Sequence, residues 1–157
     1  MGLIKTLLKE NFIISEINLP PSRQKQIIKD CVINIRDKYK QDESITDVED
    51  LNNGYCEDMA YEIGDMLLDS GIQYEIVDDG LFWDSSNSIS KYKTATGENW
   101  NVKNFKKYNT PFDYSVLSKI DLTGHSWIYA LGLHFDVEVP EGVKSFLDLP
   151  IYQRQLK

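Results

Sequence analysis

The stretch Gly124-His125-Ser126-Trp127-Ile128-Tyr129-Ala130-Leu131-Gly132-Leu133-His134-Phe135-Asp136-Val137-Glu138-Val139 carries the clearest fold signal in this chain of 157 residues. Both arms alternate with period two and Gly132 marks the turn, which is the pattern of an antiparallel hairpin. Setting Tyr129 opposite His134 places Trp127 opposite Asp136 and His125 opposite Glu138. Ile128, Ala130, Leu133, Phe135 and Val137 then share one face. His125, Trp127, Tyr129, His134, Asp136 and Glu138 share the other, which reads equally well as a solvent face or as a site. A slip of one residue would mix apolar and charged groups on both faces, so the pattern selects its own register. Pro140 reads as the close of the hairpin.

Upstream, residues 98–121 scatter Trp100, Val102, Phe105, Tyr108, Phe112, Tyr114 and Leu117 without a clean period, predicting short helices or irregular cover. Residues 84–97 are rich in Ser, Asn, Thr and Lys and read as an exposed loop or long hairpin; the polar segment 84–110 is placed to act as a rim or lid. Gln73–Val77 reads as a strand that continues past Asp78-Asp79-Gly80 into Leu81-Phe82-Trp83. A helix opens at Cys56, turns Ala60, Ile63, Met66 and Leu67 inward, and stops at Gly71. Residues 41–53 are acidic and polar and read as a loop.

Before that loop, Pro20-Pro21-Ser22 starts a helix, with Ser22 as its cap, whose stripe is Ile27, Ile28, Cys31, Val32, Ile35 and Tyr39. Cys31 within that stripe reads as a small core hydrophobe. Residues 1–20 form a separate amphipathic segment and 21–157 a single domain. The triplets Leu8-Lys9-Glu10 and Ile14-Ser15-Glu16 resemble the cleavage sites of phage head-targeting peptides, although a docking helix is the preferred reading. The fold class expected is α+β, with N-terminal helices packed on an antiparallel β-sheet.

Against 17 Lys+Arg stand 25 Asp+Glu, a net charge of −8. Such a surplus of acid repels polyphosphate, so nucleic acid is not an expected partner. No apolar run reaches the ~18 residues needed to cross a bilayer, and the N-terminus lacks a signal peptide's apolar segment and cleavage site. No membrane partner is expected, and the expected location is the cytoplasm. With only two Cys and two His, chemistry that needs a thiol or an imidazole has few seats to fill.

Cys56 sits at the start of a helix, where unpaired N–H groups and the helix dipole stabilise a thiolate. A thiolate there needs a base, and His125 is the candidate; the aspartate eleven residues on, Asp136, lies on the next strand. Gly54-Tyr55-Cys56 with Ala60, His125 followed by Trp127, and Gly132 with Asp136 resemble the papain-like and transglutaminase-like Cys-His-Asp superfamily. The resemblance spans residues 53 to 140, and the tail Glu138–Val143 with Leu149-Pro150 is similar to small phage-encoded members, whose setting would be the host cytoplasm.

That resemblance implies a thiol-dependent hydrolase (a cysteine peptidase or amidase) or an acyltransferase acting on a peptide, isopeptide or glutamine amide, without a cofactor. Cys56 would be the nucleophile, His125 the base and Asp136 its orienter, with Glu138 the rival orienter. The Cys56 backbone N–H would stabilise the oxyanion, helped by Asn53 or Asn52, because the superfamily's glutamine donor is missing here. Trp127 would pack beside the imidazole and His134 would lie at the rim. The acidity favours a basic peptide or protein substrate. Two other readings use the same residues. Cys56, His125, His134 and Asp136 could offer zinc a mixed set, although no short paired spacing supports a metal and none is expected. A degenerate, non-catalytic form of the fold could bind or inhibit a host factor.

Overall fold

The computed structural model describes residues 19–42, 44–83, 99–121 and 123–157. The amphipathic segment and its triplets, and most of the Ser/Asn/Thr/Lys-rich stretch, lie outside the described residues. Helix α1 spans Pro21–Tyr39 and begins with Pro21 in its first turn, where the missing N–H costs nothing. Pro20 rather than Ser22 is the N-cap, and no side chain caps the helix. Ile28, Cys31, Val32 and Ile35 are its buried stripe.

The acidic loop contains a helix that its composition hid. Helix α2, Val48–Asn52, is started by a reciprocal capping box in which Asp47 and Asp50 each accept the other's backbone N–H. Helix α3, Cys56–Asp69, buries Met59, Ala60, Ile63, Gly64 and Leu67. Gly71, at φ 73°, turns the chain out of it. Three helices lead into a four-stranded antiparallel sheet, with further short helices between its first and second strands and after its last, so the fold is mixed α and β.

The strands are β1 (Glu75–Asp78), β2 (Ser126–Ala130), β3 (Leu133–Asp136) and β4 (Val139–Val143), lying side by side in sequence order. The hairpin register is the expected one, with Tyr129 opposite His134. Leu131 and Gly132 both take positive φ at its turn, the geometry that suits the twist of two antiparallel strands. Two expectations fail nearby. After β1 the chain enters a 3-10 turn, Asp79–Phe82, instead of continuing as a strand, because Asp79 turns inward to hydrogen-bond elsewhere. Pro140 does not end the sheet either: it lies within β4, an edge strand, where a missing N–H is tolerated.

Both faces of the sheet are covered. On one side α1 and α3 pack Ile28, Val32, Ile63 and Leu67 against Ile128, Ala130, Phe135 and Val137. On the other, Phe82, Trp100, Phe105, Tyr108, Trp127, Phe146 and Tyr152 form an aromatic layer, with Phe82 and Phe146 stacked at 4.1 Å. Helices α4 (Val102–Lys107) and α5 (Tyr114–Leu117) contribute Phe105 and Leu117 to that layer, so the described part of the expected rim sends Trp100, Phe105 and Tyr108 into the core while Val102, Lys103, Lys106 and Lys107 stay exposed. The solvent-face reading of the His125/Trp127/His134 face is therefore overturned. The unread signal was the excess of aromatics at 82–152, enough to build a second core. No helix among the described residues is long and apolar enough to cross a membrane.

Gly142 shows how tightly β4 closes on β3. It sits at φ +77°, and a Cβ there would stand 2.6 Å from Phe135 Cε1. Gly142→Ala is expected to lose about 2 kcal/mol in chemical denaturation, combining backbone strain with overpacking.

Candidate active site

The hairpin and α3 meet at one end of the sheet, where β2 begins, β3 ends and α3 starts. Cys56 is the first residue of α3, and its N-cap, Tyr55, supplies no side-chain acceptor. No side chain therefore caps the first-turn N–H groups of α3. Cys56 is half-buried and unpaired. Its Sγ donates to the carbonyl of Gly124 at 3.8 Å. His125 is the largest influence lowering its pKa below the ordinary 9.0, against the opposing effect of burial, and the backbone N–H groups of Ser126 and Glu57 add to the lowering.

His125, 1 % exposed, is held by Nε2 to Asp136 Oδ2 at 2.9 Å. Its other ring nitrogen, Nδ1, is buried with no hydrogen-bond partner. A carboxylate only accepts, so Nε2 carries a proton and Nδ1 is the nitrogen free to exchange one with the thiol. Burial alone would depress the imidazole. The hydrogen bond and charge of Asp136, with the charge of the nearby Cys56 adding to them, overcome it and raise the pKa to about 9. The ring is flanked by Trp127, stacked at 5.5 Å, so it cannot swing freely. Trp127 thus packs beside the imidazole as expected.

The choice between the two acids is resolved by their partners. Asp136 Oδ2 faces His125, and its Oδ1 accepts the Glu138 N–H at 2.9 Å. Glu138 faces away, accepting from Arg154 Nη1 at 2.7 Å and Nη2 at 3.2 Å. The chain turns between β3 and β4 at that point, which breaks the extended register that would have set Glu138 opposite His125.

Asn52 is not an oxyanion donor. Its Nδ2 donates to Glu138 Oε2 at 2.7 Å and to Asp136 Oδ2 at 3.3 Å, so the amide is committed to bridging the two carboxylates. Asn53 is exposed at the end of α2. A small, partly open pocket of about 10 Å³, room for one water at most, lies between Cys56, Asn52, Met59, Trp127 and Asp136.

His134 is nowhere near the rim. It is fully buried, accepts the Trp127 indole N–H on Nδ1 at 2.8 Å, and donates from Nε2 to the Tyr108 carbonyl at 2.7 Å. An indole only donates and a carbonyl only accepts, which fixes the neutral Nε2–H tautomer. Burial holds its pKa down to about 4 despite the Tyr108 carbonyl. Both nitrogens are engaged, so His134 is not free to join Cys56, His125 and Asp136 around a metal. Among the described residues no cluster of three His, Cys, Asp or Glu is arranged to hold one.

One residue of the site region escaped the sequence reading. Asp79, read there as part of a turn within a strand, is buried and gathers the backbone just before β2. Its only sequence signal was an Asp-Asp-Gly triplet set between the apolar pairs Ile76-Val77 and Leu81-Phe82. Compared with known proteins, the chain matches no family model, no curated protein and no solved structure.

Proposed function

We propose that the protein is a thiol-dependent hydrolase or acyltransferase that acts on an amide through a Cys56 thioester, on a papain-like or transglutaminase-like core. The observation that carries the reading is the state of His125: one nitrogen fastened to Asp136, the other buried, unpartnered and beside a helix-start cysteine. Mutual lowering of the thiol and raising of the imidazole favour a thiolate–imidazolium pair at neutral pH. The thiolate attacks the carbonyl carbon. The tetrahedral oxyanion collapses, the C–N bond breaks, and the imidazolium protonates the departing amine. His125, now neutral, deprotonates water or an acceptor amine, which attacks the thioester and regenerates the thiol. The uncapped N–H groups of the first turn of α3 are the oxyanion donors; losing one such donor costs about 2.7–4 kcal/mol of transition-state stabilisation. Glu57 and Asp58, exposed beside Cys56, and the charge of −8 favour a basic peptide or protein as substrate.

Iodoacetamide labelling across pH tests this, with Cys31 as the internal reference because burial, then Asp30, raises its thiol pKa. Cys56 is expected to label first, with a midpoint below the ordinary 9.0. In His125→Ala its rate at pH 7 falls by at least about tenfold, the equivalent of one pKa unit. A Cys56 midpoint at the ordinary value that His125→Ala leaves in place would overturn the proposal.

A further inference from the structure

Asp79 is 4 % exposed and accepts five hydrogen bonds, more than are seen on any other carboxylate among the described residues. Its Oδ2 accepts three successive backbone N–H groups, from Thr123 at 2.7 Å, Gly124 at 3.1 Å and His125 at 3.4 Å. The hydroxyls of Tyr152 and Thr123 add to them at 3.0 and 3.3 Å. In return the Asp79 N–H donates to the His125 carbonyl at 3.1 Å. All these donors are neutral, so the carboxylate is compensated by dipoles alone, in the manner of an anion held in a nest of amides. Gly124 is left-handed at φ +73°, which lets the chain curl around the carboxylate at no side-chain cost.

The curl determines what faces Cys56. The peptide unit joining Gly124 to His125 is planar and trans, so its N–H and C=O point to opposite sides. The N–H points to Asp79 Oδ2 and the C=O to Cys56 Sγ. Fastening one side of that plane therefore orients the other, and with it the root of the His125 side chain. We infer that Asp79 is a positioning residue of the Cys56 site, setting the Gly124 carbonyl and the His125 ring against the thiol through the three amides it gathers. The inference rests on the thiol reading above. The two groups it aims act in opposite directions: the carbonyl's negative end favours the protonated thiol and the imidazole favours the thiolate. Because His125 is the largest influence on Cys56, the net result of releasing the segment is loss of thiolate.

The test compares Cys56 alkylation against pH in wild type, Asp79→Asn, Asp79→Ala and Ile35→Ala, each checked for folding by circular dichroism. Ile35, buried in α1 away from the segment, controls for destabilisation alone. The rate at pH 7 is expected to fall about threefold in Asp79→Asn, which keeps one acceptor oxygen, and about tenfold in Asp79→Ala, as the Cys56 midpoint rises toward the ordinary 9.0. Ile35→Ala keeps the wild-type profile. Should Asp79→Ala not fold, Asp79→Asn decides alone. A folded Asp79 variant with the wild-type profile, or an equal shift in Ile35→Ala, overturns the inference. Neither result touches the thiol reading, which stands or falls on the wild-type midpoint and its response to His125→Ala.

Discussion

On the proposed thiol chemistry, Asp136→Asn is expected to cost on the order of 10³–10⁴ in kcat, by analogy with orienting aspartates in catalytic triads. Both oxygens of Asp136 act only as acceptors. Oδ1 takes the Glu138 N–H, and Oδ2 takes His125 Nε2–H and Asn52 Nδ2–H. An asparagine must turn its NH2 toward one side. Turned to Oδ1's place, it opposes the Glu138 N–H. Turned to Oδ2's place, it opposes Asn52 and drives His125 to the tautomer with its proton on Nδ1, which removes the base from the thiol. With the carboxylate charge gone, burial dominates the ring, and the imidazole pKa falls from about 9. The falling pKa should be visible by NMR titration of His125, and Cys56 alkylation at pH 7 should slow by at least about tenfold. A folded Asp136→Asn protein with an unshifted His125 titration and wild-type alkylation would reduce Asp136 to a structural role.

His134→Ala should be strongly destabilising, by about 4 kcal/mol in urea unfolding at pH 7. Truncation opens a cavity in a fully buried site and strands the Trp127 indole N–H and the Tyr108 carbonyl without partners. Cys56 reactivity should survive wherever the variant remains folded. The same residue sets an acid limit. Its folded pKa of about 4 lies below the ordinary 6.5, so the unfolded chain takes up the proton first as pH falls. Stability is unaffected by this group above pH 6.5 and is lost progressively from 6.5 down to about 4. The loss totals ~3 kcal/mol, each unit of pKa difference corresponding to about 1.4 kcal/mol. Urea midpoints at several pH values check this: the wild-type curve should fall more steeply over that window than that of His134→Gln, and parallel curves would refute the linkage.

The sequence-level reading of the site succeeded where chemistry depends on local pattern and missed where it depends on partners. Helix α3 was legible because Ala60, Ile63 and Leu67 recur at helical spacing before Gly71, and this alone puts Cys56 at a helix start. The hairpin register was legible because only one pairing separates apolar from polar residues. The places of Asn52 and His134, and the partner of the rival acid Glu138, were not legible because each has a side chain capable of several roles. Which role it takes is set by groups distant in sequence: Asp136 for Asn52, Arg154 for Glu138, and Tyr108 for His134.

Periodicity and residue type were thus enough to specify helices α1 and α3, the hairpin, the core cysteine Cys31 and the pairing of Cys56 with His125 as a hypothesis worth testing. Tertiary structure alone decided that both sheet faces are buried and that Asp136, not Glu138, holds the imidazole. It also decided that one histidine is kept neutral while the other is driven toward its cation. The physical reason is that a pKa and a hydrogen-bond partner are properties of an environment. Two histidines nine residues apart on one hairpin differ only in what surrounds them: a carboxylate and a thiol for His125, an indole and a carbonyl for His134.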